Sequence, residues 1–334
     1  MMPLDRLVPV LTASLLAAAP AHAAPDVVTD IAPVHALVAR VMDGVGAPEM
    51  LVQPGASPHD HAMRPSQARA LQQADLVFHV GAGLTPWLDK ALGSLSSEEA
   101  VVALADVPGV RQLPSRDLAV FAEGDDDHED HDDHDEHEDH DGHQDDHEDH
   151  DADTDDDHQH AHGAVDPHLW LDPANALAWL GAIADSLSAH DPDNAAAYRA
   201  NANTARDELD QLSAQIQTAL APVRDRPFIV YHDAYQYFEA AFDIPATGAV
   251  AVSDAQDPGA ARIARIKAEV AEQGIVCVFT EPQFDPKLVQ TVFDASGARI
   301  GIMDPLGAGL DPGPQLYPQM LTGLADALIE CLSS

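Results

Sequence analysis

Apolar residues along this chain gather in short β-like runs, and most runs precede a stretch in which they recur at helical spacing. Residues 27–31 (VVTDI) read as a strand. Pro33 then opens a helical pattern over 34–41, which Gly44 ends. A second run at 50–52 leads into 54–61 (PGASPHDH), a stretch rich in loop formers, and Pro65 sits where the first turn of a helix reaching residue 74 accepts it. The run 76–80 closes on Gly81. A helical stretch at about 86–92 and a short run at 101–104 complete the first half. Strands alternating with helices at this spacing predict parallel α/β units.

Two helices follow in mid-chain. Residues 173–190 are apolar along one face, and Pro192 breaks the pattern. Residues 195–221 then run without Pro or Gly up to Pro222. At ~1.5 Å per residue that helix is about 40 Å long, enough to act as a rigid connector. The alternation then resumes, with strands at 228–231, 249–252, 275–279 and 299–303 and helices at about 234–242, 259–273, 286–295 and 315–332. The expected fold is α/β, with two lobes, each a mainly parallel sheet flanked by helices, joined by one long rigid helix. The expected division is 24–190, 191–222 for the connecting helix, and 223–334.

One segment obeys neither period. Residues 124–162 carry 21 Asp and Glu, no Lys or Arg, and 11 of the chain's 19 histidines. Those histidines are His128, His131, His134, His137, His140, His143, His147, His150, His158, His160 and His162, the first six at every third residue. So acidic a run, so poor in apolar groups, cannot offset its own ordering entropy, and it reads as a disordered loop. A solvated linker needs no regularly spaced imidazoles, whereas imidazoles among carboxylates are metal donors at high local concentration. The formal charge is −41, and the tract accounts for −21 of it, leaving about −20 elsewhere. That surface repels nucleic acid and anionic membranes and suits a cation.

Residues 1–23 have one Arg, a short apolar run broken by Pro20, and Ala21-His22-Ala23 before Ala24, the pattern of a cleaved export signal. No other stretch approaches membrane length, and no Cys near the cleavage point is available for a lipid anchor. A soluble, exported, monomeric protein is expected. In an oxidising compartment the two cysteines, Cys277 and Cys331, read most simply as a disulfide; the other reading is two buried thiols.

Ligands in open parallel sheets bind beyond the carboxyl ends of the strands. That rule selects His232, Glu281 and Asp304 in the second half, and the loop holding His59 and His61 in the first. It does not select His168, which follows the acidic tract and could equally be a hydrogen-bonded core histidine. His59 and His61 could be ordinary loop residues, Asp233 a helix cap, and Glu281 and Asp304 turn formers or partners of the ligands.

Six stretches taken together resemble one family: GASPHDHAMRPS (55–66), the acidic His-rich insertion, DPHLWLDP (166–173), YHDAYQYF (231–238), FTEPQF (279–284) and MDPLG (303–307). It is the periplasmic zinc-binding component of ABC-type zinc uptake transporters, within the metal-binding cluster of solute-binding proteins. The resemblance covers nearly the whole chain after the signal, with the motifs in the family's order. It implies two α/β lobes holding a metal between them on His59, His168 and His232, with Asp304 or water in the fourth position, and a disulfide between Cys277 and Cys331. Pro58 departs from the pattern, since some zinc members carry Glu there. His61, where relatives often carry an aromatic residue, is at most an auxiliary ligand. Manganese-binding relatives are expected to place a carboxylate where His232 stands.

Three neutral imidazoles and at most one carboxylate make a nitrogen-rich tetrahedral site suited to Zn²⁺. The function expected is therefore a periplasmic zinc receptor serving an ABC permease, with the tract as an accessory metal collector. The alternatives are a zinc buffer or chaperone and a receptor for manganese or another divalent metal. A zinc hydrolase is the third, though no HExxH-type motif accompanies the histidines.

Overall fold

The computed structural model describes residues 24–116, 165–251, 260–284, 293 and 297–333. The export signal expected over 1–23, the tract with its eleven histidines, and most of the helix expected over 286–295 lie outside the described residues.

The first lobe runs β1 (Val27–Thr29), α1 (Ala32–Val41), β2 (Glu49–Met50), α2 (Pro65–Gln73), β3 (Leu76–His79), α3 (Pro86–Leu95) and β4 (Val101–Ala103). Its four strands are all parallel, in the order β2-β1-β3-β4. Two long helices follow, α4 (Pro173–His190) and α5 (Ala195–Leu220). The second lobe runs β5 (Phe228–His232), α6 (Gln236–Phe242), β6 (Gly248–Ala251), α7 (Ala260–Glu272), β7 (Cys277–Thr280), β8 (Arg299–Ile302) and α8 (Leu316–Leu332). Its sheet is also parallel, ordered β6-β5-β7-β8. The two lobes therefore share one strand order, in which the chain reverses direction of travel beside β1 and again beside β5. Such reversal points leave a crevice at the strand ends.

Local chemistry sets the boundaries. Asp172 caps α4 by accepting the Ala174 N–H at 2.9 Å, and Pro173 supplies a first turn that needs no donor. α5 spans 26 residues and turns Tyr198, Ala202, Ala205, Leu209, Ile216 and Leu220 inward, a spacing that keeps one stripe against the core. That core is continuous from α1 through α4 and α5 to α8, with Trp170 and Trp179 fully buried in it. α5 thus binds the lobes by packing as well as by covalent connection. The helix expected from residue 234 begins at Gln236, because the Asp233 N–H still pairs with Ala251 O and the Ala234 N–H turns back to His232 O. At Gly301 in β8 a side chain has no room: a Cβ there would meet the Phe279 ring at 2.6 Å.

Cys277 in β7 is bonded to Cys331 in the last turn of α8, with Cα atoms 6.1 Å apart. The link ties the sheet of the second lobe to the chain's final helix.

Candidate metal centre

His59, His168 and His232 come from three separate places. His59 lies in the loop between β2 and α2, where the Trp87 indole N–H holds Pro58 O at 2.8 Å. His168 precedes a single 3-10 turn, Leu169–Leu171, that leads into α4. His232 is the last residue of β5, at the reversal point of the second sheet. Each offers one ring nitrogen, and the three nitrogens lie within 4.8 Å of one another. Among the described residues this is the one such gathering of His, Cys, Asp or Glu donors.

The spacing suits a small tetrahedral cation. Metal–nitrogen bonds of about 2.0–2.1 Å in a tetrahedron place ligand nitrogens about 3.4 Å apart. The His59 and His168 Nε2 atoms are separated by 3.4 Å. The space they share with Trp170, Glu281 and Leu306 is about 10 Å³, room for about one water-sized sphere. A second cavity of about 280 Å³, lined by Arg116, Asp166 and Asp233, adjoins it. A further cavity of about 840 Å³, beside His79, Asp89 and Asp106, contains none of the three histidines.

A carboxylate stands behind each of two imidazoles, and one of the two is hydrogen-bonded to its ring. The His168 Nδ1 donates to Asp166 Oδ1 at 2.7 Å, which leaves Nε2 with its lone pair toward the centre. The His168 backbone N–H donates to the same oxygen at 3.0 Å. Burial raises Asp166 to about 7, against the lowering effect of that N–H, Arg116, His232 and His59. On the other lobe the Glu281 Oε1 lies 3.4 Å from His232 Nδ1. Of the readings open to Glu281 (ligand, partner of a ligand, or turn former), its position behind His232 matches the partner. Asp166 ends no strand and carries no ligand signal of its own; its one mark in the sequence is that it stands two residues ahead of His168 in DPH.

Asp304 and His61 stand outside this group. The two Asp304 oxygens accept the Leu306 N–H at 3.2 Å and the Gly309 N–H at 3.0 Å, in a turn that Gly307 closes with φ +67°. Each oxygen of the carboxylate expected as a fourth ligand thus accepts one backbone N–H of its own loop. The His61 ring lies against Trp87, centroids 4.8 Å apart, with Nε2 3.2 Å from Gln67 Oε1. Asp233 is not a helix cap: its carboxylate is paired with Arg116 of the first lobe. Burial raises both Asp233 and Glu239, and Arg116 opposes the shift in each.

Two parallel-sheet lobes on a helical spine, with a donor-lined crevice between them, define a two-lobed solute-binding protein. The chain belongs to the family described as zinc-uptake complex component A, periplasmic, whose model matches residues 27–331. It is 50% identical over 328 residues to the high-affinity zinc uptake system protein ZnuA of Paracoccus denitrificans (strain Pd 1222), covering 97% of this chain and 98% of that one. To the protein of the same description from Brucella suis biovar 1 (strain 1330) it is 46% identical over 307 residues, 92% of this chain and 91% of the relative. A crystal structure of ZnuA superposes with a TM-score of 0.71 at 22% identity, over 92% of this chain and 99% of the other, which establishes the shared fold. No helix of the described residues is long and apolar enough to cross a membrane.

Proposed function

We propose that this chain is a periplasmic receptor that binds Zn²⁺ with high affinity on His59, His168 and His232 and passes it to the permease of an ABC transporter. The observation that carries the reading is the convergence of three imidazole nitrogens within 4.8 Å between the lobes. Membership of a zinc-uptake family and two relatives named as high-affinity zinc uptake proteins support it. With Asp304 held by backbone N–H groups, a water molecule completes the tetrahedron. The protein is a receptor rather than an enzyme, exported by a cleaved signal at 1–23, without a lipid anchor, and monomeric. Its lobes are 24–190 and 223–334, with 191–222 as the connector, and the tract at 124–162 collects metal at weaker sites.

Zinc titration of His59→Ala, His168→Ala and His232→Ala, singly and together, tests the site. Tight one-to-one binding is expected to disappear, and unchanged tight binding in the triple variant would sink the assignment. Growth of a receptor-deficient strain under zinc limitation, rescued only when the permease is present, separates a transport receptor from a free-standing buffer.

A further inference from the structure

Arg116 reaches from the first lobe into the second. Its guanidinium donates to Glu239 at 2.9 Å and 3.1 Å and grips Asp233 with two further N–H groups. The side chains of Arg116, Asp233 and Glu239 are 20%, 5% and 5% exposed, so this is a buried ion pair, whose loss costs far more than that of a surface one. Arg116 is itself anchored. Two residues earlier, Pro114 forms an antiparallel bridge with Val165, and the Asp166 N–H donates to Leu113 O at 2.9 Å.

Helix α6 seizes the same bridge at a second point. The Tyr237 hydroxyl accepts the Leu113 N–H at 2.9 Å and donates to Asp166 O at 3.0 Å. With its amide nitrogen turned inward, Gln236 also donates to Asp166 Oδ2 at 2.9 Å and to Pro114 O at 3.0 Å. A path of direct contacts therefore leads from His168 through Asp166 and Tyr237 into α6. It leaves α6 at Glu239 and passes through Arg116 to Asp233, which is bonded to His232 in the chain. The two ends of this path are ligands from opposite lobes, and a metal ion bound to both closes it into a ring.

We infer that Arg116 is a positioning residue for zinc retention, the charged link that holds the His232 end of the ring onto the first lobe so that bound metal departs only when the link parts. The inference rests on the three-histidine site proposed above. Breaking a buried charge pair across an interface acts mainly on dissociation, because the charges must find each other again only after the faces have met.

The test measures association and dissociation of Zn²⁺ by stopped flow, with a chromophoric chelator as competitor, in the full chain and in Arg116→Gln, Arg116→Lys and Glu239→Gln. Glu239 lies off the metal, and its amide keeps the shape, so this variant carries the test if Arg116→Gln does not fold. The dissociation rate is expected to rise roughly tenfold or more in the two Gln variants, with association changed less than about twofold. Arg116→Lys, which lacks the planar fork, falls between. The double variant Arg116→Gln/Glu239→Gln is expected to release zinc no faster than the worse single one. A lowered melting temperature with an unchanged dissociation rate would overturn the inference and leave Arg116 a structural residue. Absence of tight zinc binding in the unmutated chain would instead refute the site itself.

Discussion

The Asp166 Oδ1 and the His168 Nδ1 are 2.7 Å apart, two residues from each other in the chain. A carboxylate so placed fixes the tautomer of the imidazole, turns its Nε2 lone pair to the centre and makes the ring a stronger donor. Asp166→Asn keeps the size but leaves an amide that can offer its nitrogen to Nδ1 in place of an oxygen. Zinc affinity is expected to fall by roughly 10–100-fold, measured by competition with a chelator of known strength. An affinity within twofold of the parent chain would show that His168 is oriented by packing alone.

Asp304 and Glu281 make a contrasting pair. Each Asp304 oxygen accepts one N–H of the turn ahead of α8, whereas Glu281 faces His232 from behind at 3.4 Å. Asp304→Ala should lower the melting temperature through two unmet N–H groups while changing zinc affinity by less than about threefold. Glu281→Gln should weaken zinc binding with less effect on the turn. Loss of tight binding in Asp304→Ala, with a fold intact by circular dichroism, would restore Asp304 as the fourth ligand.

How far these roles can be read from the amino-acid order differs residue by residue. His232 is legible because it terminates an apolar run at a point where strand ends face a crevice. His168 ends no strand; only its DPHLW setting marks it, and that signal is one of resemblance. Arg116 cannot be found along the chain at all, since its partner Asp233 is 117 residues away and no local pattern joins the two. The strand-end rule tells which loops converge, Asp304's among them, but not how a short carboxylate divides its oxygens between the cleft and the N–H groups of its own turn. The two sheets and the long helix were visible because hydrophobic period and Pro placement dictate them. The interlobe ties depend on folding and so escape any local reading.

At the end of β1, Asp30 is fully buried, accepting the Ile31 N–H at 2.8 Å and the Val80 N–H at 2.7 Å. Burial raises it from 3.8 to about 7, more than the two N–H groups lower it. The folded state therefore holds this proton more tightly than the unfolded chain. Its stabilising contribution is complete below pH 3.8 and is lost as the pH rises through about 7. Asp30→Asn removes that dependence and sacrifices one N–H contact. The stability lost between pH 5 and pH 8, followed by urea unfolding, should be about 2 kcal/mol smaller in the variant than in the parent chain. Parallel curves would mean that Asp30 titrates near its ordinary value.

The bond between Cys277 and Cys331 closes a loop of 54 residues across the second lobe. By loop-entropy arguments such a closure constrains the unfolded chain by roughly 4 kcal/mol. Cys277→Ser/Cys331→Ser should lower the melting temperature by several degrees and leave the zinc site formed, since neither sulfur lies near the three histidines. A variant as stable as the oxidised parent would place the stabilisation in core packing around α8.

The tract at 124–162 brings eleven histidines and 21 carboxylates to one segment, against three histidines at the cleft. The tract's donors come from a composition poor in apolar residues, so its individual sites are expected to be weaker than the cleft, where Asp166 and the two lobes hold the histidines. Isothermal titration with Zn²⁺ of the full chain is expected to show one tight site and several weak ones. Deleting 124–162 should abolish the weak sites and leave the tight one with its affinity changed less than about threefold. At limiting zinc the shortened chain should load more slowly, because it lacks the donors that end six residues before His168 in the chain. Loss of the tight site on deletion would reverse the assignment and make the tract the principal ligand.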